Sequence, residues 1–416
     1  MNAVDSQIWD AVIVGGGAAG FFGAITCARL SAQPIQVLIL EKARRVLGKV
    51  AISGGGRCNV THHCFEPKRM ALEHYPRGNK ALIGPFHHFG VAETIRWFES
   101  RGMELKTEDD GRIFPTTDDS QTVIDCLQDA AQEFGVETRT GQGVKRLQKV
   151  GNGFELQLTT GGKINARSVL VATGGTRLSS SASLAEQTGH KLKPAVPSLF
   201  TFHVDDPRIT GLQGLSVDPV EVSVVGESLE STGPLLITHR GFSGPAILKS
   251  SAWGARLLAA RDYKFSLVVN WLPNRAVEER LMQLRGEAGK RQVRTLSPFE
   301  AIPKRLWRRL VRAAQIPDDC QWASLTVEAR RALVEQLCRG QYEVRGKSTH
   351  KEEFVTCGGV PTDDVDMRTM ESRICADLYF AGEILDIDGV TGGFNFQSAW
   401  TTGYLAGQAM ADALGS

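Results

Sequence analysis

The 416-residue sequence predicts an α/β protein whose parallel-sheet domain is split in sequence by a β-rich insertion and a small helical domain. Three observations predict this. Residues 10–41 read strand, glycine turn, helix, strand. A β texture with glycine-rich turns returns at about residue 350 and runs to the C-terminus. Between them, residues 196–270 hold short β-rich stretches broken by Gly and Pro, and residues 274–338 look helical and basic. The expected boundaries are 1–192 with 345–416 for the split domain, 193–272 plus about 339–345 for the β-rich insertion, and 273–338 for the helical domain. A chain of this length exceeds what one hydrophobic core serves.

Each element has its own signal. Ala11 to Val14 is an apolar run, Gly15 to Gly20 a turn, Phe21 to Leu30 suits a helix, and Val37 to Leu40 forms a second buried strand ending on Glu41. Val123, Leu127, Ala130, Ala131 and Phe134 recur at helical spacing, predicting a helix around Thr122–Phe134. Short strands follow near Val144–Leu147 and Phe154–Leu158, and the buried strand Ser168–Ala172 runs into Thr173-Gly174-Gly175. In the insertion, Leu199–Val204, Val220–Val225 and Phe265–Val269 read as strands. A strand ending in Gly382-Glu383 then returns, and a helix opening near Asn395–Ala399 reaches about Leu414.

Composition narrows the class without naming a chemistry. A net charge of +2, with 42% hydrophobic and 23% charged residues, points to neither nucleic acid nor anionic membrane as a bulk partner. The apolar runs are strand-sized, so none suits a transmembrane helix, and the opening MNAVDSQIWD has no signal core; the expectation is a cytoplasmic protein. Eight scattered cysteines without a CxxC pair read as reduced, mostly buried side chains.

Gly15-Gly16-Gly17-Ala18-Ala19-Gly20 supplies the G-x-G-x-x-G spacing directly after a strand and opening a helix. Gly15 permits the tight turn, Gly17 lets backbone approach a pyrophosphate, and Gly20 lets the helix sit close to the sheet. Amides at the helix N-terminus receive the phosphate charge. Glu41, 21 residues past Gly20, is placed to accept hydrogen bonds from a ribose. This unit predicts a Rossmann-type dinucleotide site and leaves NAD and FAD open. The next segment, Leu47 to Asn59, separates them. A bare NAD domain needs no second glycine-rich element there, whereas the ribityl chain and isoalloxazine of FAD need close backbone approach. Gly54, Gly55 and Gly56 offer it, and Lys49 and Arg57 add positive charge near phosphate or reduced flavin. The returning segment places Gly382 toward the ribityl and pyrophosphate region, and amides near Asn395–Ala399 toward the flavin N1–C2=O edge.

Six strings occur in one order along the chain: GGGAAG, GK…ISGGGRCNVT, DDGRIFP, VLVATGG, THRGFSGPAIL and YFAGEILDIDGVTGGFNFQSAWTTGYLAG. Their order resembles the BaiN-like (YhiN-like) bacterial flavoprotein family, the aminoacetone oxidase-type NAD(P)/FAD-dependent oxidoreductases, over nearly the whole chain. The resemblance implies noncovalent FAD, a three-domain layout and an oxidoreductase activity. By matching position it implies FAD contacts from Gly15 to Gly20, Glu41, Lys49, Ser53, Gly54, Gly55, Gly56, Arg57, Cys58, Asn59, Thr173, Gly174, Gly382, Glu383, Gly393, Phe394, Asn395, Phe396 and Gln397. Lys42, Val144, Ala172 and Asp386, beside these strings, complete the candidate set. After Gly175 the family continues with a Tyr-Pro and a GSTGDGY-like string, but this chain has Thr176-Arg177-Leu178-Ser179-Ser180-Ser181 and is several residues short. That departure leaves the substrate, and catalytic competence, open.

Sharper ideas compete with plainer ones. Cys58 and Cys64 have CxxxxxC spacing in a Gly/His-rich loop, not the CxxxxC of a redox-active helix, so Cys58 is expected to pack under the flavin. His62-His63 and His87-His88 point in divergent directions with no completing ligands, so no metal is expected. His239, in THRGFSGP, is a candidate general acid or base, with a structural histidine the equal alternative; Arg57 is the second catalytic candidate. Between Arg285 and Arg312 the cations are 285, 290, 291, 294, 304, 305, 308, 309 and 312, against Glu287 and Glu300. Without interleaved aromatics for base stacking, a solvated helical face is favoured over an RNA-binding one. The expected function is FAD-dependent two-electron oxidation or reduction of a small molecule, the flavin being recycled by NAD(P)H or O2 and covered by the insertion. The alternatives are a flavin-dependent RNA-modifying enzyme and a noncatalytic or redox-sensing flavin binder. Oligomeric state is not encoded.

Overall fold

The computed structural model describes residues 4–176, 179–348 and 355–415, and the chain forms two compact units, 1–196 with 355–416 and 197–354. Arg177 and Leu178, in the stretch where the sequence departs from the family pattern, lie outside the described residues.

The first unit is built on a sheet whose central strands run Leu378–Phe380, Lys163–Val171, Val4–Val14, Val37–Glu41, Glu137–Thr140, all parallel. Ile13 sits in register with Ile39 on one side and Leu170 on the other. Ala11, Val12, Ile13, Leu38, Ile39 and Leu170 are all 0% exposed, which is why these strands read as continuous apolar runs and not as alternations. Lys163–Val171 pairs parallel with Val4–Val14 along its length on one side, while on the other its first half pairs antiparallel with Gly153–Leu158 and its end parallel with the returning Leu378–Phe380.

Two helices close one face, and glycines set their distance. The first, Ala18–Leu30, begins three residues before the expected Phe21 because Ala18 and Ala19 already follow the extended N-cap Gly17. The last, Phe394–Gly415, lies against it. A Cβ at Gly403 would stand 2.6 Å from the Ala19 carbonyl oxygen, and one at Gly407 2.3 Å from that of Gly23, so the two backbones touch where side chains are absent. The helix expected over 122–134 is Ser120–Glu133, capped by the Asp119 carboxylate on the Gln121 amide.

Residues 61–115 carry elements that the sequence patterns left unread: helices Pro67–His74, Asn79–His88 and Val91–Glu99, and a three-stranded sheet of Thr61–His62, Arg112–Pro115 and Leu105–Thr107. The chain leaves and re-enters this unit through neighbouring strands, Lys193–Ser198 and Val355–Gly359.

The second unit is a closed antiparallel barrel in the order Phe202–Val204, Gly241–Ser243, Glu230–Thr238, Ser216–Val224, Phe265–Asn270, Gly340–Lys347, the last pairing back on the first. Helices Val277–Glu287, Lys304–Ala313 and Val327–Cys338 share its core, in which Phe242, Trp271 and Tyr342 of the barrel are continuous with Trp307, Leu310 and Leu333 of the helices.

Candidate functional site

Strand Val4–Val14 delivers the glycine turn to the carboxyl end of the sheet, where ligands bind in parallel α/β folds. Gly15 has φ +115°, and a Cβ there would stand 2.3 Å from the Ala172 carbonyl oxygen. A Cβ at Gly20 would stand 1.9 Å from the Gly15 carbonyl oxygen, so the third glycine is a packing requirement of the chain itself. Gly17 is different: a Cβ there meets nothing within 4 Å, and the helix it caps has no side-chain cap and no acid in its first turn. The helix N-terminus there carries the positive end of the helix dipole, the setting that receives phosphate charge. Glu41 is fixed by the loop it faces, one oxygen accepting from the Gly16 amide at 2.8 Å and the other from the Ala43 amide at 2.7 Å. Lys42 beside it is exposed, and Val144 is a buried residue paired with Leu158.

The segment Gly48–Gly56 is a broken helix. Ser53 is extended (φ −69°, ψ 152°), and Gly54, Gly55 and Gly56 follow at φ +59°, +70° and +86°. Three consecutive left-handed residues are accessible only to glycine. Cβ atoms at Gly55 and Gly56 would meet nothing within 4 Å, which leaves their backbone open to approach. Arg57, by contrast, is committed to the protein: its guanidinium lies 4.0 Å above the Phe114 ring and 2.6 Å from Glu108, with Asp118 at 3.3 Å. Hydrogen bonding to Glu108 raises its pKa further. Cys58 is fully buried, and burial pushes its thiol up to about 12, far from a reactive thiolate.

The returning strand brings Gly382 (φ +74°) against the first helix, where a Cβ would stand 2.9 Å from that of Ala19. The Gly382 amide donates to the Thr402 hydroxyl at 2.9 Å. Glu383 accepts from the Thr356 amide at 2.8 Å and forms a close ion pair with Lys49, joining the glycine segment to the strand end. Gly174 (φ +74°) borders the same carboxylate, and Ala172 is held by its amide to the Val14 carbonyl at 2.9 Å. The hydroxyls of Thr173 and Thr176 are buried nearby with no hydrogen-bond partner among the described residues.

Side chains around the last motif turn inward. The Asn59 amide, oriented to satisfy its neighbours, accepts from the Gly393 amide at 3.0 Å and donates to the Thr61 carbonyl at 2.9 Å. Gln397, 0% exposed, donates to Thr94 at 2.9 Å and Thr401 at 3.1 Å while accepting from Thr61 at 2.5 Å. Asn395 clasps both the amide and the carbonyl of Gly389, at 2.9 and 3.0 Å. Phe394 stacks on His74 at 4.1 Å, and Phe396 on Trp400 at 5.6 Å. The Asp386 amide donates to the Val360 carbonyl at 2.8 Å. These side chains shape the 386–397 loop, and what it offers outward is chiefly backbone. Arg77, which the sequence reading passed over, holds the loop through Asp388 with Nε 2.5 Å from Oδ1. Thr356, Thr402 and Tyr75, whose hydroxyl donates to the Phe394 carbonyl at 2.5 Å, were equally silent in the sequence.

His239 belongs to the barrel unit, exposed in the turn between Glu230–Thr238 and Gly241–Ser243; among the described residues its side chain makes no hydrogen bond. His62 has Nδ1 on the Gly392 carbonyl at 3.1 Å, and burial lowers its pKa. Two surface clefts, of about 410 Å³ beside Asp366 and about 500 Å³ beside Glu343, contain none of the motif residues.

The first unit therefore holds a helix terminus without a side-chain cap, an open glycine segment at Gly55–Gly56 and two buried hydroxyls, of Thr173 and Thr176, without partners among the described residues. The chain matches the HI0933-like protein Rossmann domain over residues 9–409. It belongs to this HI0933-like family. Among its relatives are the ribosomal RNA dihydrouridine synthase of Escherichia coli (strain K12), 31% identical over 96% of this chain and 97% of that protein, and the 3-dehydro-bile acid delta(4,6)-reductase of Clostridium scindens, 30% identical over 96% and 98%. The crystal structure of the 3-ketosteroid-delta4-(5alpha)-dehydrogenase of Rhodococcus jostii RHA1 superposes with a TM-score of 0.52 at 15% identity, over 99% of this chain and 100% of that one, a likeness of fold. This HI0933-like chain is a flavin-dependent oxidoreductase with a Rossmann-type FAD-binding domain.

Proposed function

We propose that this HI0933-like protein reduces a carbon–carbon double bond conjugated to a carbonyl, holding FAD noncovalently and drawing electrons from NAD(P)H. The observation that supports cofactor binding is the helix terminus at Gly17, open and uncapped, where the packing demands of Gly15 and Gly20 keep the turn in place. Ala18 and Ala19 would supply amides to the pyrophosphate, and Glu41 would accept from the adenosine ribose. Thr173 and Thr176 carry the buried hydroxyls a polar ligand would satisfy. Gly54, Gly55 and Gly56 with Gly174 and Gly382 would border the ribityl chain, and backbone from Gly393 to Gln397 the ring. Bound FAD supplies the two-electron chemistry at its isoalloxazine ring.

The bond type is argued from the relatives. The names of the two curated relatives describe saturation of a double bond conjugated to a carbonyl, one in a 3-oxo steroid skeleton and one in a uracil ring. A small enone and a uridine residue present the same electron-poor carbon, so both fit this reaction. The test is direct. Purified protein should be yellow and release FAD on denaturation; anaerobic NADH or NADPH should bleach it, and an enone or a uridine-containing RNA should restore the colour. A folded protein that cannot be loaded with FAD would refute the cofactor assignment. A loaded protein that no conjugated C=C compound reoxidises would refute the reaction.

A further inference from the structure

Four successive residues, Asn59 to His62, are bonded to the start of the last helix and the loop before it, 330 to 340 residues away. The Asn59 side chain accepts from the Gly393 amide at 3.0 Å. The Val60 carbonyl accepts from Trp400 Nε1 at 2.9 Å, the Thr61 hydroxyl donates to Gln397 at 2.5 Å, and His62 Nδ1 lies 3.1 Å from the Gly392 carbonyl oxygen. A carbonyl only accepts, so Nδ1 carries the hydrogen and His62 is the donor. Two of these bonds act on one peptide unit. The Gly392 carbonyl and the Gly393 amide share a peptide plane, and His62 holds the first while Asn59 holds the second. Gly392 and Gly393 sit at φ +128° and +93°. A peptide between two glycines has little of its own to fix its plane, so its orientation depends on these two side chains.

The DDGRIFP string backs this arrangement. Its hairpin, Leu105–Thr107 with Arg112–Pro115, gives the Ile113 carbonyl to the Val60 amide at 2.8 Å and the Gly111 carbonyl to the His63 amide at 2.7 Å. Gly111 stands at φ +84°, and a Cβ there would lie 2.7 Å from His62 Nε2. A Cβ at Gly392 would lie 3.4 Å from Nδ1 and 2.8 Å from the Phe394 ring. The imidazole thus stands between two glycines, one beside each nitrogen, with its ring centre 4.6 Å from that of Phe394. A side chain of similar bulk without a donor would fill the slot and leave the Gly392 carbonyl unheld. Asparagine, whose amide nitrogen takes the position of Nδ1, would hold it. Glutamine, one bond longer, would carry its amide toward Gly111 instead.

We propose that His62 is a positioning residue for the flavin: with Asn59 it locks the Gly392–Gly393 peptide, and through it the backbone that meets the isoalloxazine ring. The proposal rests on the assignment above of the Gly393 to Gln397 backbone to that ring. The experiment uses full-length protein loaded with FAD. It reads FAD release by fluorescence, the visible circular dichroism of the bound flavin, and the melting temperature. His62→Leu should release FAD about fivefold faster or more, the weight of one hydrogen bond, and should change the flavin dichroism. His62→Asn should stay within about twofold of wild type, and His62→Gln should follow His62→Leu. Gly111→Ala should act like His62→Leu by displacing the ring. In the His62→Asn background, where no imidazole is met, its effect should shrink to the strain of a left-handed alanine.

Unchanged FAD release and flavin dichroism in His62→Leu would overturn the proposal, even if its melting temperature fell. So would a His62→Asn variant as poor as His62→Leu, or a Gly111→Ala effect equal in both backgrounds. Where His62→Leu does not fold, the comparison of Gly111→Ala in the wild-type and His62→Asn backgrounds decides. The two readings fail separately. Protein that folds and never loads FAD removes the cofactor assignment, whereas protein that loads FAD and is indifferent to the His62 substitutions removes the positioning role alone.

Discussion

Replacing Arg77 by alanine should cost the first unit about 3–5 kcal/mol, the range for stripping one partner from a buried ion pair. The Asp388 side chain is 0% exposed and that of Arg77 only 10%, so the remaining carboxylate cannot regain its hydration without the loop opening. The guanidinium engages it through both Nε and Nη2, and the two residues also bridge through their backbones. For a unit of this size each kcal/mol is worth roughly 2–3 °C, which places the melting temperature about 6–15 °C lower. The assay is thermal unfolding by circular dichroism, with release of FAD fluorescence as a second signal for the 386–397 loop. Adding Asp388→Asn to the Arg77→Ala background should recover a good part of the loss, because the buried charge goes with it. A single variant melting within 2 °C of wild type, or a double variant no better than the single, would refute the reasoning.

Gly17→Val should fold normally yet purify colourless, because its Cβ meets nothing in the protein, whereas Gly20→Ala, with a Cβ 1.9 Å from the Gly15 carbonyl oxygen, should lose stability as well as FAD; equal melting temperatures for the two would contradict this. Gly407→Val should destabilise by about 3 kcal/mol or more, as its Cβ would stand 2.3 Å from the Gly23 carbonyl oxygen, and the check is denaturant unfolding against wild type. His190, 3% exposed, has a pKa lowered by burial. The Ser372 hydroxyl accepts the amides of Ile374 and Cys375, leaving its proton for Nε2 at 2.8 Å, so Nδ1–H donates to the Ala185 carbonyl and the ring is neutral. A folded pKa below the unfolded one means the unfolded chain binds the extra proton, so His190 costs nothing above the ordinary histidine pKa and destabilises as pH falls through it. The drop in melting temperature between pH 7.5 and 5.5 should therefore shrink in His190→Leu, and an unchanged drop would assign it elsewhere.

What could be read from the sequence was what is locally determined. The strands at Ala11–Val14 and Val37–Leu40 are buried on both sides, so their apolar runs show unaided, and the turn at Gly15–Gly20 is dictated by contacts only glycine survives. Helix Pro67–His74 carried a legible start, Pro67 after a capping Glu66, and Val91–Glu99 another in Gly90 with Glu93, but both segments went unread. Strand Glu230–Thr238 was hidden by Gly233 and Pro234 in its middle, which usually argue against a strand. Barrel closure, Phe202 onto Lys347, joins segments too far apart for any local pattern to report. In the site, whether a polar side chain faces outward or into its own scaffold depends on tertiary partners. Asn59 and Gln397 look like ligands in the sequence, and only Gly393, Thr61 and Thr94 in space show their side chains to be occupied.

The position of strand Leu378–Phe380 carries a consequence for how the protein is made. It covers the end of Lys163–Val171 that Gly153–Leu158 leaves open, and helix Phe394–Gly415 covers the glycine face of the first helix, yet both are synthesised only after the barrel unit. Until then the nascent chain holds a parallel sheet with an unpaired apolar edge, and the whole barrel unit is synthesised in the interval. A chain stopped before residue 378 should accumulate as aggregate and bind trigger-type holdases, while supplying the missing segment in trans should rescue solubility.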